Sequence, residues 1–118
     1  MRIFLALLFT ICFGIANGQT TIKPGDVSQH IGDSVTVCGK VAGMRYFGNS
    51  RNQPTFLNIG ADFPNQQVTV VIWGEVRKLF SSNVDELKGK EICITGRITM
   101  YKERPQIVIN QPADIRVQ

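Results

Sequence analysis

Residues 27–41 read V-S-Q-H-I-G-D-S-V-T-V-C-G-K-V, and residues 84–98 read V-D-E-L-K-G-K-E-I-C-I-T-G-R-I. The second stretch repeats the first at a constant displacement of 57 positions. Gly32 answers Gly89, Val35 answers Ile92, Val37 answers Ile94, Gly39 answers Gly96, and Val41 answers Ile98. Each copy is a turn glycine followed by a strand with β-branched residues at alternate positions. Side chains alternate faces along a strand, so Val35, Val37, Gly39 and Val41 share one face, as do Ile92, Ile94, Gly96 and Ile98. A glycine on the buried face removes bulk where a strand must coil sharply, as at the corner of a small closed barrel.

Working outward, the remaining punctuation supplies the other elements. A polar lead-in, residues 19–24, precedes a helical turn over 27–31 with Asp26 as its cap. The first strand runs over 34–47 and the loop 48–54 follows it. Further strands are expected over 55–59 and 67–73, the latter being the most β-prone piece of the chain. After Gly74 the apolar period becomes helical, with Val76, Leu79 and Phe80 on one face. Asn83 and Glu86 have capping-box spacing for a second short turn that ends at Gly89. A strand over 91–101, a polar link over 102–105, a strand over 106–110 and a final extended or turn segment over 113–117 complete the chain. Three strands, a helical connection and two more strands predict an all-β fold: a five-stranded OB barrel with its helix between the third and fourth strands. The alternative, an SH3-like small barrel, does not need that helical insertion.

The ends of the chain bear on where it works. Residues 1–18 read as a secretory signal: Arg2, an apolar run over 3–15, then the small residues Ala16 and Gly18 around a cleavage site before Gln19. The apolar run is shorter than the ~20 residues of a comfortable membrane span. The expected organisation is therefore a signal peptide (1–18), a lead-in (19–24) and one OB-fold domain (25–118), exported to the periplasm or the medium. Cys12 leaves with the signal, so the mature domain keeps Cys38 and Cys93, an even pair in an oxidising compartment. Both point away from the core face. A cross-strand disulfide is expected, two free thiols being the alternative. Removing Arg2 leaves 12 of the 13 basic residues against 9 acidic ones, a mildly basic balance in which placement matters more than the sum.

The run Phe56-Leu57-Asn58-Ile59-Gly60, then Phe63-Pro64-Asn65-Gln66, then Thr69-Val70-Val71-Ile72-Trp73-Gly74, resembles OB-fold nucleic-acid-binding modules of exported bacterial proteins. Such modules occur alone or joined to extracellular nucleases. The stretch over 96–109, a strand, a basic-proline turn and a strand, is similar to theirs too. The resemblance covers roughly residues 32–115. It implies the OB fold and a nucleic-acid ligand.

No catalytic constellation is visible. His30, the sole histidine, stands beside a turn glycine with no cysteine or carboxylate at ligand spacing. Asp85 and Glu86 are adjacent and diverge on a helical turn, so they read as solvated surface. No catalytic residue, metal site or cofactor is assigned, and the protein is expected not to be an enzyme.

Binding is better supported. In an OB barrel the ligand crosses the face of strands two and three, flanked by the loops joining strands one to two and four to five. Those loops hold Arg45, Arg51, Lys102 and Arg104, expected to converge on one rim, interleaved with Tyr46 and Tyr101. Cations neutralise phosphates while rings stack bases, which is what a single strand requires. Asn52, Phe56, Asn58, Trp73 and Gln106 complete the expected nucleic-acid-binding set. Phe47, Phe63 and Trp73 suit the plug of a barrel equally well, and alternation does not say which of Phe56 and Leu57 faces outward. The expected partner is single-stranded DNA or RNA, bound weakly and in a salt-dependent manner. The alternative is an envelope OB module holding a peptide, glycan, small ligand or protein.

Overall fold

The computed structural model of the chain describes residues 20–118; the expected signal peptide lies outside them. Seven strands occur in it: β1 (Thr21–Ile22), β2 (Ser34–Tyr46), β3 (Thr55–Ile59), β4 (Val68–Ile72), β5 (Glu91–Tyr101), β6 (Arg104–Val108) and β7 (Ile115–Val117). One α-helical turn, α1 (Gly74–Arg77), follows β4, and short 3-10 turns span Pro24–His30, Val84–Leu87 and Pro112–Asp114. Strand order is β1-β2-β3-β4-β6-β5-β7, and a direct β2–β5 pairing joins the sheet to itself. Strands β2, β3, β4, β6 and β5 therefore form a closed five-stranded barrel, an all-β architecture of the OB type with a short helical insertion after its third barrel strand.

Closure depends on the two long strands that carry the repeat. β2 pairs with β5 over Ser34–Lys40, then shifts register between Val41 and Gly43 and pairs with β3. β5 pairs with β2 and β7 in its first half and with β6 from Ile98 onward. The corner glycines sit where each strand changes neighbours. A Cβ on Gly96 would lie 2.7 Å from Ile107 Cγ2, and one on Gly39 would lie 2.6 Å from Pro24 Cγ. A side chain there would force Ile107, or Pro24 and Ile59, to shift.

The interior is built from the residues that alternate with the exposed ones. Val35, Val37, Val41, Leu57, Ile59, Val70, Ile72, Ile92, Ile94, Ile98 and Ile107 are all buried. Each such side chain contributes about 1.5–3 kcal/mol by leaving water. Val27 from the first 3-10 turn, and Val84 and Leu87 from the second, join this core.

Several local expectations change. Thr21–Ile22, expected as lead-in, pairs in parallel with β2, and Ile22 joins the core. The first turn begins at Pro24 with Lys23 at its cap position, so Asp26 lies inside the turn and does not cap it. Proline at the first helical position supplies the fixed φ and lacks only an N–H that has no partner there. Asn83 Oδ1 accepts from the Asp85 backbone N at 2.9 Å, with no reciprocal bond from the Glu86 side chain. After α1 the chain tightens into i→i+3 bonds, Leu79 N to Val76 O and Phe80 N to Arg77 O. That tightening turns Leu79 off the apolar face: it is 64% exposed, while Val76 and Phe80 pack against the core.

Cys38 and Cys93 are direct cross-strand partners and form a disulfide. Cys93 is only 3% exposed, although it faces away from the barrel interior. It lies between β2 and β7, paired on the second side with Arg116, so the sheet extends past the position expected to meet solvent. Beside the bridge, Thr36 and Thr95 hydroxyls hydrogen-bond at 2.9 Å.

Candidate nucleic-acid interface

The outer face of the barrel carries a groove of about 360 Å³. Its lining comes from β2 (Arg45) and the adjoining Phe47, β3 (Phe56, Asn58), the β3–β4 connection (Phe63, Gln66), β4 (Thr69), β5 with its turn (Tyr101, Lys102), and β6 (Arg104, Pro105, Gln106). Register explains why these residues meet. Gly43 pairs with Asn58, Asn58 with Thr69, Thr69 with Gln106, and Gln106 with Thr99, which makes one continuous row across five strands. Two rungs further along, Arg45 pairs with Phe56. The outward parity that places Asn58 in the groove therefore places Phe56 there as well, with Leu57 turned inward.

Cations and rings are interleaved around this row. The Arg45 guanidinium lies 5.2 Å from the Phe47 ring centroid, Lys102 Nζ 5.4 Å from that of Tyr101, and the Arg104 guanidinium 5.8 Å from that of Phe63. Phe47 and Phe56 meet edge to face at 5.3 Å between centroids. Among the described residues none of Arg45, Lys102 and Arg104 forms an ion pair with a carboxylate. Arg104 also donates from Nη1 to the Pro64 carbonyl at 3.0 Å, which draws the β3–β4 connection over the end of the groove. The β5–β6 turn contains only Lys102 and Glu103, both with positive φ (51° and 65°), and β6 begins at Arg104. The expected four-residue link is thus a two-residue hairpin of the kind whose twist suits antiparallel strands.

The β3–β4 connection is fixed by Asp62. Its Oδ1 accepts from the Phe63 backbone N at 2.7 Å and from Asn58 Nδ2 at 3.1 Å. These bonds, helped by the charge of Lys88, hold the Asp62 carboxyl below the usual aspartate value. Gly43 makes room for this arrangement, because a Cβ there would collide with the Asp62 carboxylate.

Seven of the eleven expected contact residues line the groove: Arg45, Phe56, Asn58, Tyr101, Lys102, Arg104 and Gln106. Four do not. Tyr46 follows Arg45 on the strand and so faces the other way, with its ring 4.1 Å from the Arg77 guanidinium. Asn52 and Trp73 line a separate hollow with Gln53, Gly74 and Glu75. Arg51 is exposed on the loop after β2 and lines neither concavity, so the rim holds three of the four expected cations. Phe47, Phe63, Gln66, Thr69 and Pro105 also line the groove, outside the expected set. Neither Phe47 nor Phe63 plugs the barrel; Phe63 is 66% exposed. Strand parity was a sufficient signal for Thr69 and against Tyr46. Phe63 and Gln66 arrive through a loop fold that no periodicity announces.

Other titratable groups are engaged locally. His30 does have a carboxylate neighbour, with Nδ1 3.1 Å from Asp33 Oδ2. Asp85 accepts from Arg77 Nη2 at 3.2 Å. Among the described residues no three His, Cys, Asp or Glu side chains gather as metal ligands, and no helix is long and apolar enough to cross a membrane.

This geometry defines the class: a closed OB-type barrel with a basic, aromatic groove on its outer face. Solved structures of similar fold include that of yeast Stn1 and Ten1, with a TM-score of 0.59 and 14% identity over 85% of this chain and 63% of that one. OBody AM1L10, solved bound to hen egg-white lysozyme, gives a TM-score of 0.57 and 17% identity over 89% of this chain and 98% of that one. The Entamoeba histolytica asparaginyl-tRNA synthetase gives 0.53 and 18% over 86% of this chain and 24% of that one. The chain thus spans about three-fifths of the Stn1–Ten1 chain and about a quarter of the synthetase. At these identities the likeness is one of fold. No protein-family model and no curated protein matches the sequence.

Proposed function

We propose that this protein is an exported, non-enzymatic OB-fold module that holds single-stranded nucleic acid in the groove between β3 and the β5–β6 turn. One observation carries the reading: Arg45, Lys102 and Arg104 stand beside aromatic rings and, among the described residues, no carboxylate pairs with them. An unpaired cation supplies a phosphate contact, and an adjoining ring supplies a sequence-tolerant stacking surface at about 1–3 kcal/mol per base. Asn58, Gln66 and Gln106 add hydrogen-bonding groups along the floor. Export is supported by the Cys38–Cys93 bridge, a bond that persists in oxidising compartments.

Fluorescence anisotropy of a labelled 12-mer, titrated with salt, tests the reading. Three phosphate contacts predict a log–log slope of about −2, from roughly −0.7 per phosphate on a single strand. Affinity that is absent at low salt, or indifferent to salt, rejects it. A second reading places a peptide or protein in the same groove, and the likeness to OBody AM1L10, solved with a protein partner, supports it. It predicts salt-insensitive capture of an envelope protein by crosslinking and no oligonucleotide signal.

A further inference from the structure

We infer that the groove chooses among bases through the carbonyl oxygen of Asn58, favouring strands whose bases carry an exocyclic amino group over thymine or uracil. This rests on the nucleic-acid reading above and names what that site would select.

The argument begins with an amide whose orientation is dictated by its partner. Asn58 is only 6% exposed, lines the groove floor, and gives its Nδ2 to Asp62 Oδ1. At neutral pH a carboxylate can only accept, so the amide must turn its NH2 toward Asp62. The Phe63 backbone N donates to the same oxygen, which fixes the carboxylate in place. Asn58 Oδ1 is then the end left over, and no described residue donates to it. On the groove floor that oxygen can accept from a ligand that brings a donor.

Gln66 lines the same groove and is held by Thr69, with Nε2 3.1 Å from Thr69 Oγ1. Cytosine and adenine present an amino group at the base edge, and guanine carries one in addition to its ring N–H. Thymine and uracil present two carbonyls around a single N–H, and those carbonyls would meet the Asn58 oxygen.

Homopolymers dC12 and dT12 isolate the effect, since both are pyrimidines with the same charge. Anisotropy at one fixed low salt should show dC12 bound about fivefold more tightly, the worth of one satisfied hydrogen bond. Asp62→Ala tests the lock from outside the groove. With no side-chain acceptor at position 62, Asn58 is free to turn over, and the dC12 to dT12 ratio should fall toward one while both strands still bind. Asn58→Leu should remove the preference as well; if that variant does not fold, Asp62→Ala decides alone. Equal or tighter binding of dT12 by the unaltered protein overturns the base preference and leaves the nucleic-acid reading standing. A ratio unmoved by Asp62→Ala overturns the amide lock. Failure of both strands to bind overturns the nucleic-acid reading and this inference with it.

Discussion

Neighbouring rungs of the β2–β3 ladder carry two arginine–aromatic assemblies with opposite fates. At the Tyr46–Thr55 rung, Arg77 arrives from α1, packs its guanidinium 4.1 Å from the Tyr46 ring centroid, and donates to the buried Thr55 hydroxyl at 2.6 Å and to Asp85 at 3.2 Å. At the Arg45–Phe56 rung the guanidinium also sits near a ring, 5.2 Å from Phe47, yet among the described residues it has no carboxylate partner. Both assemblies set an arginine against an aromatic ring. What separates them is whether the polar ends are consumed within the fold. The first assembly ties α1 and the following turn to the barrel, whereas the second leaves a charge available to something outside it. Composition alone does not distinguish a lock from a binding rim; the inventory of partners does.

If that distinction is right, stability and ligand affinity should respond to different substitutions. The largest stability effect belongs to the outer face of β2 and β5. Replacing both Cys38 and Cys93 with Ala opens a loop with a sequence separation of 55. Chain-entropy reasoning puts the loss at about 4 kcal/mol. Urea unfolding should register it, with oligonucleotide affinity unchanged wherever the protein remains folded. Arg77→Met comes next. It strands the Thr55 hydroxyl in the core and removes the Asp85 partner, at a cost of about 2–3 kcal/mol. Anisotropy on this variant should match the unaltered protein, and a large drop in oligonucleotide affinity would show that the two assemblies are not independent.

The groove should behave in the converse way. Changing Arg45, Lys102 and Arg104 together to Gln should bring the salt slope from about −2 toward zero. The unfolding midpoint should barely move, because Arg104 alone of the three makes a hydrogen bond among the described residues. Glu103→Gly is a smaller change with effects on both properties. Glu103 holds a positive φ that a glycine adopts without steric cost, so stability should rise by up to about 1 kcal/mol. Loss of an acid from the rim should strengthen oligonucleotide binding at the same time.

The reach of sequence reasoning follows the same division. The barrel was legible because its information is periodic: Gly39 and Gly96 recur in register, β3 and β5 have the expected bounds, and Cys38 and Cys93, which the repeat puts on the outward face, meet in the expected bridge. Much of the groove was legible through the composition of the two loops that flank it, which hold Arg45, Tyr101, Lys102 and Arg104. Tyr46 was misplaced by neglect of that periodicity, since consecutive strand residues cannot share a face. Phe63 and Gln66 were beyond it. They reach the groove because Asp62 folds the β3–β4 connection back onto Asn58 over a glycine, a contact between side chains that no spacing rule encodes. Arg51 fails for the matching reason: a basic loop residue has no periodic position from which its direction can be read.

Asp62 gives the smallest effect and the finest test of the division, because it belongs to both halves. Its bonds to Phe63 N and Asn58 Nδ2 form only in the folded chain and favour the ionised carboxylate, so its folded pKa lies below the unfolded one. The stabilisation is fully present above the ordinary aspartate value and is lost as pH falls from there through the folded value, since the unfolded chain takes up the proton first. Urea midpoints measured across that acid range should therefore fall more steeply for the unaltered protein than for Asp62→Asn, which has no carboxyl to titrate. Because the β3–β4 connection carries Phe63 and Gln66 into the groove, ligand contact should weaken over the same interval. Amide exchange at Phe63 offers a direct readout: its protection should decline with acid in the unaltered chain and stay level in the variant, whose amide oxygen accepts without titrating. A level profile in both would mean that the loop holds its place whatever the charge of the carboxyl, and that the groove's shape is set by Arg104 and Pro64 instead.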